Sequence, residues 1–570
     1  MTPRRIPIRF PRATCCVAIL GLALAHSAAH AQIDEARIAR AAPAEWATYG
    51  RDYAETHYSP LSQIATSNVA QLREAWSWEI PKTGSRMEAT PIMVDGVIYA
   101  TGSYSYVFAL DARTGRMIWQ WDPGIPEEVQ GGPSVCCGNV NRGVAVLGDK
   151  VYVGVLDGRL VALDRHTGLV KWAVQTTPRN SDYSITQAPR VVAGNVIIGN
   201  SGAEFGVRGY VTAYDAETGE QRWRWHTVPG NPADGFENEA MRRAAETWTG
   251  EWWAIGGGGT VWDGMAYDPT LGLLYIGTGN GAPWSRDERS PGGGDNLYLS
   301  SIVALRAETG EYVWHYQTTP GDDWDYTAVQ PLMLLDLTIG GRQRAVIVQA
   351  PKNGFFYVID RITGEFISAE AFGDNVTWAS AVDPETGRPI ETPEARYGMN
   401  RRGAWLSPGP GGAHNWRPMA WNPATRLVYL PMQNNQSWYD RVTVEYKPGQ
   451  FNTGTARGPD VVRPPAPALQ GPVDALKAWD PVENREVWRM DTDGMNGGVL
   501  STGGGLVFWG TRSRLVALDA GSGGLLWESP VGDQPATPIT YELDGRQYVT
   551  IMAGNAPPRV WTYTLPAVSR

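Results

Sequence analysis

An all-β fold is predicted by two features of this 570-residue chain: a self-similar segment that recurs along most of its length, and 25 tryptophans that fall mostly in or near the copies. The segment is Ala-Leu-Asp, two residues, Thr-Gly, three residues, Trp. It reads Ala109-Leu110-Asp111, Thr114-Gly115, Trp119, then Ala162-Leu163-Asp164, Thr167-Gly168, Trp172, then Ala213-Tyr214-Asp215, Thr218-Gly219, Trp223. These starts, at 109, 162 and 213, lie 53 and 51 residues apart. A period in this range with strand–turn–strand composition is that of propeller blades.

Each copy supplies an apolar strand, an Asp-x-x-Thr-Gly turn, and a second strand ending in an aromatic residue. Later copies begin at Ala304, Val358, Ala478 and Ala517, and Asn68-Val69 to Trp76 reads as a truncated eighth. The strand Tyr548-Val549-Thr550-Ile551-Met552 near the C-terminus is expected to complete the first blade and close the ring. Closure removes the edges that an open sheet would expose. The expectation is one eight-bladed β-propeller over residues 32–570, with tryptophan-docking repeats that pack blade against blade. Wider gaps separate Ala213 from Ala304 and Val358 from Ala478. The segments Gly230 to Glu251 and Arg457 to Pro472 are insertions expected at the mouth of the site or as a lid.

Arg4, Arg5, Arg9 and Arg12 precede an apolar run from Cys15 to Ala25, and Ala29-His30-Ala31 follows as an A-x-A site. This is the pattern of a signal peptide cleaved near Ala31, so export to the periplasm is expected, with no membrane anchor. Without the four leader arginines, 45 basic residues face 59 acidic ones, a net charge of −14. That argues against nucleic acid or an anionic membrane as partner. No Cys-x-x-Cys-His occurs, so no covalent c-type haem is expected in the chain. Beyond the leader only the adjacent pair Cys136-Cys137 remains. An oxidising compartment favours a bond between them, two free thiols being the alternative. Neighbouring Cα atoms are about 3.8 Å apart, below the usual disulfide range of roughly 4.4–6.8 Å, and strain of this kind collects at functional sites.

Glycine-rich polar segments interrupt the repeats, and loops on a rigid scaffold are the usual home of function. They include Cys136-Cys137-Gly-Asn-Val-Asn-Arg142, Ser201-Gly202-Ala203-Glu204, Gly257-Gly-Gly-Thr-Val-Trp262, Gly277-Thr-Gly-Asn280, Trp324-Asp325-Tyr326 and Ala350-Pro-Lys352-Asn-Gly. In order and context these resemble the pyrroloquinoline quinone (PQQ)-dependent alcohol dehydrogenases, the methanol/ethanol dehydrogenase family, from about Trp46 to the C-terminus. Within that family they look closer to the catalytic part of the quinohaemoprotein enzymes.

The resemblance implies a PQQ site. Trp262 would stack on one face of this flat, tricarboxylated ortho-quinone and a Cys136–Cys137 disulfide ring would cover the other. Arg142 would pair with a carboxylate. Glu88, Thr186, Ser201, Gly202, Ala203 and Asn415 would line the cofactor's rim. Glu204, Asn280 and Asp325 would offer oxygen ligands to Ca²⁺. Asp325 would be the base for the alcohol hydroxyl proton and Lys352 would stabilise charge on the quinone oxygens. Relatives that use lanthanides carry an additional Asp two residues after the base. Thr327 stands there, which favours Ca²⁺ over a trivalent ion.

By the same resemblance the electrons would pass to a separate, soluble c-type cytochrome, helped by the acidic surface. Primary alcohols are the expected substrate class, a bulky secondary or cyclic alcohol or a sugar hydroxyl being the alternative. A non-catalytic scaffold propeller is the remaining reading, and it leaves the convergence of Cys136-Cys137, Glu204, Asn280 and Asp325 without a use.

Overall fold

The repeat's turn explains how one blade grips the next. In the first copy the Asp111 carboxylate accepts the Thr114 amide at 2.9 Å and the Thr114 hydroxyl at 2.9 Å. The chain then reverses through Gly115 at φ +71°. A Cβ on Gly115 would lie 2.4 Å from Trp76 of the neighbouring blade. Glycine is therefore demanded twice, by the left-handed backbone and by the indole laid flat against it. The geometry repeats as Gly168 on Trp119, Gly219 on Trp172, Gly310 on Trp223, Gly364 on Trp314 and Gly523 on Trp488. The indole nitrogens of Trp119, Trp172, Trp223 and Trp488 donate to the carbonyls of Arg165, Ala216, Ala307 and Ala520 in the adjoining turns.

The computed structural model describes residues 32–570 except 83, 85–86, 126–134, 136, 179–181, 398–402, 448, 457–460, 495, 555–556 and 568–570. The leader, Cys136 and the start of the Arg457 insertion thus lie outside the described residues. Ile33–Arg570 forms one compact unit. Eight sheets of antiparallel strands make an eight-bladed propeller, as the repeat predicts. Blade 1 spans 92–121, blade 2 144–175, blade 3 190–226, blade 4 265–317, blade 5 332–371, blade 6 420–492 and blade 7 496–530. Blade 8 takes three strands from 539–564 and its fourth, Arg73–Glu79, from the beginning of the ring. Arg73 pairs with Thr564 and Glu79 with Arg559, so the truncated first copy and the last strands close the circle in one sheet.

A strap preceding the first blade strand crosses the first strands of several blades. Trp46 exchanges two backbone hydrogen bonds with Met93 of blade 1. The carbonyls of Tyr53, Ala54, Thr56 and His57 accept from Tyr267, Leu334, Trp421 and Ser501 in blades 4, 5, 6 and 7. Trp46, Tyr49 and His57 are buried. The strap ties the blades together from inside while the tryptophan turns tie them from outside.

Replacing Gly168 by Ala should lower stability by about 1–3 kcal/mol, because the methyl must displace an aromatic ring already in place. A thermal unfolding midpoint equal to that of the parent protein would show that the indole–turn contact carries no such load.

Candidate active site

In an antiparallel blade the start of the first strand and the end of the second lie at the same end of the sheet. The sequence places its chemistry at those two positions, blade after blade. Glu88 precedes the first strand of blade 1, Arg142 that of blade 2, Thr186 that of blade 3, Trp262 that of blade 4, Asp325 that of blade 5 and Asn415 that of blade 6. Ser201–Glu204, Asn280 and Lys352 follow the second strands of blades 3, 4 and 5. Residues scattered over more than 300 positions are thereby delivered to one face.

They meet around a cavity of about 540 Å³. Cys137, Arg142, Thr186, Ser201, Gly202, Glu204, Trp262, Asn280, Asp325, Lys352 and Asn415 all line it. Glu88 and Ala203 do not. Ala203 sits in a short 3-10 turn, 203–205, that presents Glu204, and Gly202 enters that turn at φ +112° with no room for a Cβ beside the Asp182 carbonyl. Cys137 is disulfide-bonded, while its expected partner Cys136 lies outside the described residues.

Arg142 organises one side of the cavity. Its Nη1 donates to Thr186 Oγ1 at 2.7 Å and to the Trp262 carbonyl at 3.3 Å, and its Nη2 is 2.7 Å from Glu88 Oε2. The guanidinium lies 4.9 Å from the centre of the Trp262 ring. Thr186 and Ser201 hydroxyls are 3.2 Å apart. Glu88 is joined to Arg142 and is not among the residues that line the cavity.

A second cluster in the cavity holds Asp325, Lys352, Glu204 and Asn280. Lys352 Nζ donates to Asp325 Oδ2 at 2.9 Å, both residues being buried. Asp325 stands at φ +66°, a conformation a non-glycine residue seldom adopts. Its neighbours hold it there. Asp322 accepts the amides of Trp324 and Tyr326 at 3.1 and 2.9 Å, and Trp324 Nε1 and Tyr326 OH donate to the Ala395 and Pro408 carbonyls. Burial pushes the Asp325 carboxyl up to about 8, Lys352 pulling the other way and Glu204 adding to the rise. Glu204 Oε1 accepts from Asn280 Nδ2 at 2.9 Å and from Trp284 Nε1 at 3.1 Å. The Asn280 amide nitrogen also donates to the Gly281 carbonyl, which leaves the amide oxygen as the atom offered to a cation.

These residues fit PQQ and a hard cation. A broad indole, a disulfide sulfur, a guanidinium, an ammonium and two hydroxyls surround a cavity of the size of a small polycyclic ligand. Two carboxylates and an amide oxygen converge beside them, an all-oxygen donor set suited to Ca²⁺. Among the described residues no group of three His, Cys, Asp or Glu is placed to hold a metal by itself. The remaining ligands would come from the cofactor. Asn415 is held by its Nδ2 on the Gly411 carbonyl and its Oδ1 on the Trp416 amide.

Several participants escaped sequence reasoning. Trp284, Trp416 and Phe451 line the cavity, and Phe451 packs edge-on against Trp284 and Phe205. Asp322 was visible only as one more acid in Asp-Asp-Trp-Asp. The lid expectation needs correction. Gly230 to Glu251 packs elsewhere, with Trp248 Nε1 donating to the Leu297 carbonyl, and none of it lines the cavity. The described part of Arg457 to Pro472 caps Trp405 and Gln436 through the Pro464 and Pro467 carbonyls. The preceding loop reaches the cavity instead, through Phe451, and its Asn452 amide donates to the Glu204 carbonyl at 2.8 Å. Thr327 does not reach the cavity and pairs with Gln330.

A family model described as glucose/ethanol/alcohol dehydrogenase, beta-propeller domain, matches residues 46–369 and 468–549. The chain is 52% identical over 557 residues to quinohemoprotein alcohol dehydrogenase ADH IIB of Pseudomonas putida, covering 96% of this chain and 78% of that protein. It is 47% identical over 536 residues to 1-butanol dehydrogenase (cytochrome c) of Thauera butanivorans, covering 90% and 75%. The quinohemoprotein alcohol dehydrogenase structure from Comamonas testosteroni superposes with a TM-score of 0.89 at 47% identity, over 94% of this chain and 83% of that one. With its eight-bladed ring and a cavity suited to a flat anionic quinone, the protein belongs to the PQQ-dependent alcohol dehydrogenases.

Proposed function

We propose that this enzyme oxidises a primary alcohol to the aldehyde in the periplasm, with Asp325 as base, Ca²⁺ held by Glu204, Asn280 and Asp325, and a c-type cytochrome as electron acceptor. The observation that carries the reading is the Lys352–Asp325 pair beside the Glu204–Asn280 pair within one cavity walled by Trp262. Bound PQQ supplies the two-electron acceptor for the carbinol hydride. Arg142, Thr186, Ser201 and Asn415 would hold its polar edge, and Trp262 and the disulfide-bonded Cys137 would offer it flat and sulfur surfaces.

Asp325 is placed for proton abstraction and is poorly ionised when alone, because burial and Glu204 both disfavour its carboxylate. A cation on the same oxygens favours the charged form, and so does the Lys352 ammonium. Asp322 and the clamped aromatic side chains of Trp324 and Tyr326 keep the carboxylate aimed into the cavity. Trp284 and Phe451 present an apolar wall to the alcohol's carbon chain. The Thauera butanivorans relative, named for 1-butanol and cytochrome c, supports both the unhindered primary alcohol and the acceptor. Export rests on the leader pattern of residues 1–31. Among the described residues no helix is long and apolar enough to cross a membrane.

Dye-linked oxidation of 1-butanol by the chain should require PQQ and Ca²⁺ together. Asp325→Asn should cut kcat by about 10²–10⁴-fold, with PQQ still retained as seen by its absorbance. Turnover without Ca²⁺, or a fully active Asp325→Asn protein, would sink this assignment.

Lys352→Gln removes the cation that favours the Asp325 carboxylate, so the carboxyl must rise. The acid limb of kcat/KM against pH should move to higher pH. A limb that stays in place, or moves to lower pH, would show that Lys352 does not bear on the base.

A further inference from the structure

From Arg142 in the cavity wall a chain of buried charges runs back to groups that the reaction does not use. Glu88 Oε2 is 2.7 Å from Arg142 Nη2, and Asp263 Oδ2 is 3.5 Å from Arg142 Nε. On the far side Arg190 Nε donates to Glu55 Oε1 at 2.8 Å, and the Arg190 guanidinium lies 4.1 Å from the centre of the Tyr49 ring. His57 stands 4.0 Å from Glu55 and is kept neutral, burial pushing it down to about 3. All of these residues are buried, and of them only Arg142 lines the cavity. Two guanidiniums thus face three carboxylates, leaving a charge of −1 when every acid is ionised.

Three carboxyls compete for two cations, and their commitments differ. Glu88 has the close contact with Arg142 and Glu55 the hydrogen bond to Arg190. Asp263 Oδ2 accepts no hydrogen bond from the described residues, although the Asp263 backbone is pinned by Gln187 Nε2 on its carbonyl at 2.5 Å. We propose that Asp263 is a proton-holding site behind the cofactor, and that seating the tricarboxylate against Arg142 draws one proton onto Asp263 Oδ2. The inference rests on PQQ as the occupant of the cavity.

The physical reason is charge compensation. An anion arriving at Arg142 competes with Asp263 for the same guanidinium, in a region where water cannot screen the repulsion. Protonation of the least committed acid removes the conflict. The groups that bear on Asp263 are Arg142 before blade 2, Arg190 in blade 3, Glu88 before blade 1, and Tyr49 and Glu55 of the strap. Burial pushes Asp263 up to about 7, with Arg142 and then Arg190 opposing and Glu88 adding to the rise. A further anion on Arg142 raises it again. The pKa is therefore higher in the loaded protein than in the empty one. Linkage then requires that loading take up a proton above about pH 7, and that affinity fall as pH rises between the two values.

The test is PQQ binding to the apoprotein of the full chain at saturating Ca²⁺, read by fluorescence titration from pH 6 to 9 and by proton uptake in weakly buffered solution. The parent protein should take up about one proton near pH 8 and lose affinity about tenfold per pH unit there. Asp263→Asn, an uncharged near-isostere, should lose that uptake and keep its pH 7 affinity at pH 8, whereas Glu55→Gln should leave most of the uptake in place. Binding by the parent without proton uptake overturns the proposal even if neither variant folds. Equal uptake by the parent and Asp263→Asn also overturns it. Absence of PQQ binding at every pH defeats the cofactor assignment, and this inference with it.

Discussion

The flat contact between an indole and a Thr-Gly turn is the interaction on which the rest of this molecule depends. A propeller is stable only as a closed ring, because each blade has one face for each neighbour and no independent core. The contact from Trp76 to Gly115 joins blade 8 to blade 1, and equivalents continue through Trp119, Trp172, Trp223, Trp314 and Trp488. Each fixes the separation and rotation of two adjacent sheets. The position of every loop at the ends of the blades follows from that geometry.

The active site exploits it. Blades 2 to 6 each contribute residues at the same end, so a rigid ring converts local loop chemistry into a cavity without any one segment having to fold around the cofactor. The cost is the crowding of charge. Asp325 and Glu204 share the cavity, and Glu88, Asp263 and Glu55 share Arg142 in its wall and Arg190 behind it. A cation on one side and a proton on the other are the natural means of balancing these acids.

One strained residue stands in the cavity itself. Asp325 is held in the left-handed region by Asp322 and by the buried Trp324 and Tyr326, each anchored to a carbonyl from a distant segment. Gly202 and Gly256 through Gly259 supply positive φ angles where Cβ atoms would strike neighbouring backbone or side chains. The scaffold supplies many weak, repeated contacts, and the stability they provide is spent on a few strained positions.

The sequence by itself determined the repeat, the turn chemistry, the docking tryptophans and the identity of most cavity residues, because Asp-x-x-Thr-Gly turns and glycine-rich loops depend on interactions within a few residues. It also marked Trp262, Glu204, Asn280, Asp325 and Lys352 through local motifs that resemble one family. Which of them meet is set by the packing of the blades. Lys352 reaches Asp325 across 27 positions and Trp284 reaches Glu204 across 80. Phe451 lines the cavity and Gly230 to Glu251 does not, since an insertion's length says nothing of the side on which it packs. Glu88 proved to lie behind Arg142, and Asp263 joined it there without any motif of its own. Such roles arise from charge and packing shared among blades, and a linear sequence does not carry the distances that set them.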